Sequence, residues 1–276
     1  MRVGFIGLGS QGAPMARRIV DAGFETTLWA RRPATLVPFA DTPAKRAASP
    51  ADLASVSDLV CVCVVDDADV EEVVTGASGI LAGLRRGGVI AVHSTVHPDT
   101  CRRLADRAAT HGVALIDAPV SGGGQAAAEG RLAVMAGGEP GTLAFCRPVF
   151  ATYGDPIVHM GPLGTGQVAK LLNNVLFTAN LATAAGTLAL GRDLAVDPAA
   201  LSRVLAHGSA TSFALDRVAA AGGTLDRMAT HAGPLLRKDV RLLTDVATAA
   251  GASPGIVGTT AEEALAVMNA AARTGG

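Results

Sequence analysis

The stretch Gly161 to Asn174, GPLGTGQVAKLLNN, carries the residue types best suited to chemistry. After its glycines and proline the pattern turns helical, with Gln167, Lys170 and Asn174 at helical spacing. Residues three and four apart share a helix face, so Lys170 and Asn174 project together, with Gln167 and Asn173 close by. An amine and a carboxamide on one face can move a proton and hold a polar ligand. The next stretch, Val175 to Leu190, is almost wholly apolar, and a helix apolar all round is expected to be buried. A cation on such a helix is costly unless a partner or ligand satisfies it. Burial of an amine also disfavours its charged form, which suits it to acid–base work near neutral pH. Lys170 is therefore the first candidate catalytic residue and Asn174 the second.

A second group of residues stands at the N-terminus. Arg2 to Ile6 reads as a strand, and Gly7-Leu8-Gly9-Ser10-Gln11-Gly12 follows it. A helix from about Ala13 to Ala22 comes next, with Pro14 in its first turn, where a missing N–H is tolerated. Glu25 to Ala30 is the following strand. Strand, G-x-G-x-x-G, helix and strand in this order is the context of a dinucleotide-binding turn. Gly7 permits the tight turn, Gly9 lets backbone approach a pyrophosphate, and Gly12 lets the helix pack close, with its N-terminus toward the anion. Past the second strand, sites for NAD place an acid for the ribose hydroxyls. Here Arg31 and Arg32 follow Ala30, a pair suited to a 2′-phosphate, so NADP is expected over NAD, with NAD possible. Arg31 follows the strand more closely and is expected to be the stronger anchor.

These residues need elements to hold them, and the alternation of patterns supplies a plan. Strands are expected at Asp58 to Val65, Gly88 to His93, Val113 to Asp117, Arg131 to Met135 and Pro156 to Met160, with helices at Ala51 to Ser57, Ala68 to Val74, Pro98 to His111 and Pro140 to Ala151. The run DLVCVCVV has the unbroken apolar character of a strand covered on both faces. Such βαβα order implies a mainly parallel sheet with helices on both faces, and ligands then sit at the carboxyl ends of the strands. Val64-Val65, Ser94-Thr95 and Ser121-Gly122-Gly123 all fall there. From Thr165 every periodic segment reads helical: Thr165 to Arg192, Pro198 to Gly208, Thr211 to Ala221, Pro234 to Ala250 and Gly258 to Ala272. The first would be about 40 Å long, long enough to span two domains or a subunit contact. The boundary is expected near Gly161 to Gly164, giving one domain over 1–162 and an all-helical one over 163–276.

The totals exclude several classes. A formal net charge of −1 over 276 residues gives no electrostatic footprint for nucleic acid. No apolar run has the length of a membrane span without polar or glycine interruptions. The chain enters its first strand directly, and the four cysteines lack metal-ligand or disulfide spacing, so a reduced, cytoplasmic protein without a metal is expected. Cys61 and Cys63 read as core filler. Five of the six histidines read as structural or surface groups, His93 among them despite its place beside Ser94-Thr95, while His231 could equally face the pocket.

Five motifs in order resemble the β-hydroxyacid dehydrogenase family. They are GFIGLGSQGAPMA at Gly4 to Ala16, Ser94-Thr95, DAPVSGG at Asp117 to Gly123, the lysine–asparagine helix at Gly164 to Asn174, and Lys238-Asp239. The resemblance implies an α/β Rossmann domain followed by an all-α domain that joins subunits, as a homodimer or homotetramer. It implies that Lys170 is the catalytic lysine and that Ser121, Gly122, Gly123 and Asn174 hold a small carboxylate substrate. Thr95 and Lys238 would approach the nicotinamide half of the cofactor; Gly7, Leu8, Gly9, Gln11, Gly12, Arg31, Arg32, Val64 and Val65 would line the rest. Three departures stand out: Gln11 replaces the usual methionine, Val65-Asp66-Asp67 replaces a Leu-Pro loop, and Thr230 to Pro234 lacks the usual phenylalanine. Two rivals are imine reduction on the same fold, whose enzymes usually lack the lysine, and a non-enzymatic dinucleotide-binding module, whose members lose the lysine or the substrate serine.

Overall fold

The computed structural model describes residues 1–274, with only the backbone at His231 and residues 271–274. The chain divides into two compact units, Met1–Lys170 and Leu171–Gly276.

The first unit alternates strands and helices: β1 (Arg2–Ile6), α1 (Gly12–Asp21), β2 (Glu25–Trp29), β3 (Lys45–Arg46), α2 (Pro50–Ser55), β4 (Leu59–Val62), α3 (Asp67–Thr75), α4 (Ile80–Gly83), β5 (Val89–Val92), α5 (Pro98–Thr110), β6 (Ala114–Asp117), β7 (Val120–Ser121), α6 (Gly123–Ala128), β8 (Leu132–Gly137), α7 (Pro140–Phe150) and β9 (Gly154–Gly161). Strand order is β3-β2-β1-β4-β5-β6-β8-β7, with β9 also paired to β8. The ladder is parallel from β3 through β6. Strand β8 runs antiparallel to β6 and β7, so the mainly parallel sheet has an antiparallel edge. The short β7 turns the chain back after Pro119, a residue with no N–H to give to a ladder.

The side-chain period of two divides the core. Val3 and Phe5 of β1, with Leu59 and Cys61 of β4, face one side and pack on Met15 and Ile19 of α1 and on Phe150 and Tyr153. Ile6, Val60 and Val62 face the other side and pack on Val70 of α3 and on Cys101 and Leu104 of α5. On α5 the buried positions Cys101, Leu104 and Ala108 follow one helical stripe, and Pro98 opens its first turn. Order reverses at β1, whose neighbours are β2 and β4, and a cleft for ligands lies at such a reversal.

The helix α8 (Thr165–Asp193) leaves the first unit and begins the second, which continues as α9 (Pro198–His207), α10 (Phe213–Ala220), α11 (Asp226–His231), α12 (Gly233–Ala249) and α13 (Gly255–Thr274). No strand occurs among its described residues. Its core gathers Leu171, Val175, Leu181 and Leu188 of α8 with Leu215, Leu236, Leu243 and Leu265 from the helices that follow. The helix α11 has no counterpart in the periodic segments. The expectation that α8 is buried all round is corrected: Leu172, Leu176 and Leu190 are each more than half exposed. Among the described residues, packing leaves these leucines of α8 largely uncovered, so its apolar composition exceeds what that packing covers.

Candidate active site

The turn after β1 has the shape that its glycines require. Gly7 has φ 96°, and a Cβ there would lie 2.1 Å from the Cys63 carbonyl oxygen at the end of β4. A Cβ on Gly12 would lie 1.9 Å from the Gly7 carbonyl oxygen, so the helix can approach the turn only without a side chain. At Gly9 a Cβ would meet no protein atom within 4 Å, so that side of the turn is open for a ligand to lie against the backbone. The Gln11 Nε2 is buried and has no hydrogen-bond partner. A buried donor without an acceptor is costly, and a phosphate oxygen would satisfy it. Together the open side of Gly9, the orphaned Gln11 amide and the α1 N-terminus fit a dinucleotide. Leu8 is buried beneath the turn.

At the carboxyl ends of the central strands a buried polar network ties four segments together. Asp117, fully buried at the end of β6, accepts from Gly164 N through Oδ1 and from Gln167 N through Oδ2, each at 2.7 Å. Gln167, also fully buried, accepts from Val96 N at 3.1 Å and donates to the Ser94 carbonyl at 2.8 Å. The Ser94 hydroxyl in turn accepts from Val64 N at 2.8 Å. The loops after β4, β5 and β6 are thereby fastened to the first turn of α8. Gly166 fits because any Cβ there would crowd the Met135 carbonyl and the Asp117 carboxylate. Burial pushes the Asp117 carboxyl up to about 6, against the backbone N–H groups that favour its ionised form.

This network locates several expected residues. Lys170 is half-buried one turn beyond Gln167, at the end of the first unit. Thr95, partly buried, sits between the two residues whose backbones Gln167 holds. Gln167 itself, expected to lie on the face of Lys170, turns its amide into the sheet. Val64 spends its N–H on Ser94, and Val65 is 61% exposed. Ser121 is partly buried, and Gly122 and Gly123 both adopt positive φ. Gly124 packs onto Ser10, where a Cβ would lie 2.5 Å from the carbonyl oxygen, so the serine–glycine turn abuts the G-x-G-x-x-G turn. The departure at Val65-Asp66-Asp67 has a structural use: Asp66 caps α3, and Asp67 Oδ1 accepts from His97 N and Thr100 Oγ1.

The arginines behave differently from each other. Arg31 is exposed and donates to Asp69 Oδ1 at 2.7 Å and to Glu72 Oε2 at 3.1 Å, both on α3. Its hydrogen bond to Asp69 holds the guanidinium charged more firmly than usual. Arg32 is exposed with no such carboxylate pairing among the described residues. The expected stronger anchor, Arg31, thus already has carboxylate partners that a 2′-phosphate would have to displace.

In the second unit, Asn174 donates to Asp239 Oδ2 at 2.6 Å and accepts from Asn173 Nδ2 at 3.0 Å. Lys238 Nζ lies 3.2 Å from Asp239 Oδ1, an oxygen otherwise without a well-directed donor. Asn174, Asp239 and Lys238 therefore form one cluster joining α8 to α12. His93 is structural: it is buried, its Nδ1 meets the Ala118 carbonyl at 2.6 Å, and its Nε2 meets the Tyr153 hydroxyl at 3.1 Å. Burial lowers its pKa to about 4, so the ring is neutral at pH 7. The His231 side chain lies outside the described residues. All four cysteines are free. Among the described residues no group of three or more His, Cys, Asp or Glu could hold a metal ion, and no helix is long and apolar enough to cross a membrane.

Sequence reasoning named Ser94 and Asp117 only as parts of motifs, and it missed the bonds through which they and Gln167 act. Asp117 closes the apolar run ALID, and an acid ending a buried strand is a signal of a required partner. That the partner is the backbone of α8 has no local signature.

Residues 2–161 match the family model described as the NAD binding domain of 6-phosphogluconate dehydrogenase. Residues 164–276 match that described as NAD-binding of NADP-dependent 3-hydroxyisobutyrate dehydrogenase. An uncharacterized oxidoreductase of Mycobacterium tuberculosis is 37% identical over 206 residues, covering 75% of this chain and 70% of that protein. The mitochondrial 3-hydroxyisobutyrate dehydrogenase of Homo sapiens is 31% identical over 273 residues, covering 96% and 81%. The solved structure of Mycobacterium tuberculosis 3-hydroxyisobutyrate dehydrogenase with L-serine aligns at TM-score 0.82 and 26% identity, covering 96% and 93%. With the turn, the sheet order and the lysine–asparagine helix, these matches place the chain in the β-hydroxyacid dehydrogenase family, as an NAD(P)-dependent oxidoreductase of that type.

Proposed function

We propose that this enzyme interconverts a short β-hydroxyacid and its semialdehyde or keto acid, with Lys170 as general acid and base. The observation that carries the reading is the buried network fastening the first turn of α8, and hence Lys170, to the strand ends beside the dinucleotide turn. When bound, the nicotinamide supplies the hydride acceptor or donor. Lys170 gives a proton to the carbonyl oxygen in reduction and takes one from the hydroxyl in oxidation. The Ser121 hydroxyl and the N–H groups of Gly122 and Gly123 hold the substrate carboxylate in the manner of an anion nest, and Asn174, oriented by Asp239, fixes the reacting oxygen.

The cofactor is held at Gly7, Leu8, Gly9, Gln11 and Gly12 for its phosphates, at Val64 and Val65 along its side, and at Thr95 and Lys238 toward its nicotinamide. NADP is preferred over NAD because Arg31 and Arg32 follow β2 where an acid for the ribose would stand, and NAD remains usable. Residues 1–162 serve the cofactor and 163–276 the substrate and assembly. The exposed Leu172, Leu176 and Leu190 of α8 support a homodimer or homotetramer through the helical domain. Four free thiols support a cytoplasmic location.

The test is Lys170→Ala assayed with a panel of small hydroxyacids. Loss of the proton carrier should lower kcat/KM by about 10²–10⁴-fold while cofactor affinity, titrated by calorimetry, stays within a few-fold of wild type. Retention of more than about a tenth of kcat/KM would remove Lys170 from that role.

A further inference from the structure

Three polar clusters carry more bonds than the proposed function uses: Arg31 with Asp69 and Glu72, His93 with Tyr153, and Gln167 with Asp117. The first is exposed, and the second is closed within the core. The third is buried and reaches the residues on both sides of Thr95.

We propose that Gln167 is a positioning residue that sets the Thr95 peptide and Lys170 with respect to each other. Its main chain accepts its place from Asp117, through Gln167 N to Oδ2 at 2.7 Å. Its side chain holds the two peptides flanking Thr95, by Val96 N to Oε1 at 3.1 Å and Nε2 to the Ser94 carbonyl at 2.8 Å. One residue thus carries the register between the loop after β5 and the helix that bears Lys170. Lys170 follows three positions later, on the next turn. The residue is fully buried, so its amide touches no ligand and acts only through what it holds. The bonds are directional and use both ends of the carboxamide: one end must accept and the other must donate. Methionine fills similar volume and does neither. Glutamate can accept at Val96 N, yet donates to the Ser94 carbonyl only when protonated. The distinction between filling space and holding two peptides is therefore open to experiment. The inference rests on Lys170 and Thr95 acting as proposed above.

The experiment compares Gln167→Met, Gln167→Glu and Lys170→Ala as full chains, at temperatures well below each melting midpoint. Four readouts are taken: kcat and KM for a hydroxyacid turned over by wild type, calorimetric affinity for NADP, and affinity for 2′,5′-ADP, which carries only the adenosine half. For Gln167→Met we expect kcat to fall about tenfold or more, with 2′,5′-ADP affinity unchanged within threefold and NADP affinity weakened more than that of the fragment. For Gln167→Glu we expect kcat relative to wild type to rise as pH falls and the glutamate protonates, a recovery that neither Gln167→Met nor Lys170→Ala shows. A folded Gln167→Met with wild-type kcat would overturn the proposal, as would parallel pH profiles for Gln167→Glu and wild type. Should Gln167→Met not fold, the Gln167→Glu profile decides alone. Full activity in Lys170→Ala would instead overturn the catalytic assignment, which the Gln167 variants do not test.

Discussion

The first turn of α8 and the arginine pair beyond β2 both present charge or polarity where a ligand is expected, and they are built in opposite ways. Around α8, Asp117 and Gln167 are sealed from water, and their carboxylate and carboxamide bond to the main chain of Gly164, Gln167, Ser94 and Val96. Beyond β2, Arg31 is 61% exposed and leans on two carboxylates of α3. Buried directional bonds fix geometry and are costly to break, whereas exposed ion pairs are weak, screened and easily exchanged. The proton carrier proposed at Lys170 must stand in one place, which the first kind of support provides. The cofactor phosphate proposed to meet Arg31 must arrive and leave, so the second kind suits it.

The hardest way to break the contrast is Asp117→Asn. Both carboxylate oxygens accept from N–H groups, and an amide offers only one oxygen, leaving its NH₂ against a donor. We expect a loss of about 2–4 kcal/mol in urea unfolding at pH 7, with a larger difference below pH 6, where the wild-type fold gains stability by taking up the Asp117 proton and the amide cannot. A change under about 0.5 kcal/mol would show that α8 does not depend on this anchor.

A test by pH sharpens the buried side. His93 has its pKa lowered to about 4 in the fold, so the unfolded chain takes up its proton first and stability is lost as pH falls from about 6.5 toward 4. Asp117 has its pKa raised to about 6, so the fold takes up that proton first and stability is gained as pH falls from about 6 toward 4. The two slopes oppose each other. Replacing the histidine by His93→Gln removes the loss, and the variant should gain about 2 kcal/mol on wild type between pH 7 and pH 5 in chemical denaturation. An unchanged difference between the two pH values would mean that His93 is not held neutral by its burial.

The exposed side should answer more gently. Wild type is expected to prefer NADP by about tenfold to hundredfold in kcat/KM, with Arg31→Ala and Arg32→Ala each removing part of this. Because Arg31 is already paired, Asp69→Asn should release it and raise NADP affinity by about two- to fivefold, an effect that high salt erases. Equal use of NAD and NADP by wild type would reduce both arginines to surface charge.

Much of the plan was legible because it is local. The unbroken apolar runs of β1, β4 and β5, the glycine spacing of the first turn and the lysine–asparagine interval on α8 all follow from neighbouring residues, and each survives in the structure. The short α6 and α11 were not legible: a six-residue glycine–alanine segment and a six-residue polar one carry too little periodicity to signal a helix. The extra length of β8 and the antiparallel β7 depend on pairing with distant strands.

By itself the sequence determined the order of the longer elements, the dinucleotide turn and the position of the lysine on its helix, since these rest on backbone sterics and helical spacing. Tertiary structure decided what those residues lean on. It assigned Asp117 to the start of α8, Gln167 to the peptides around Thr95, and Arg31 to Asp69 and Glu72. These partners lie 38 to 73 residues apart, and no local pattern can encode a partner that only chain folding brings within hydrogen-bonding distance.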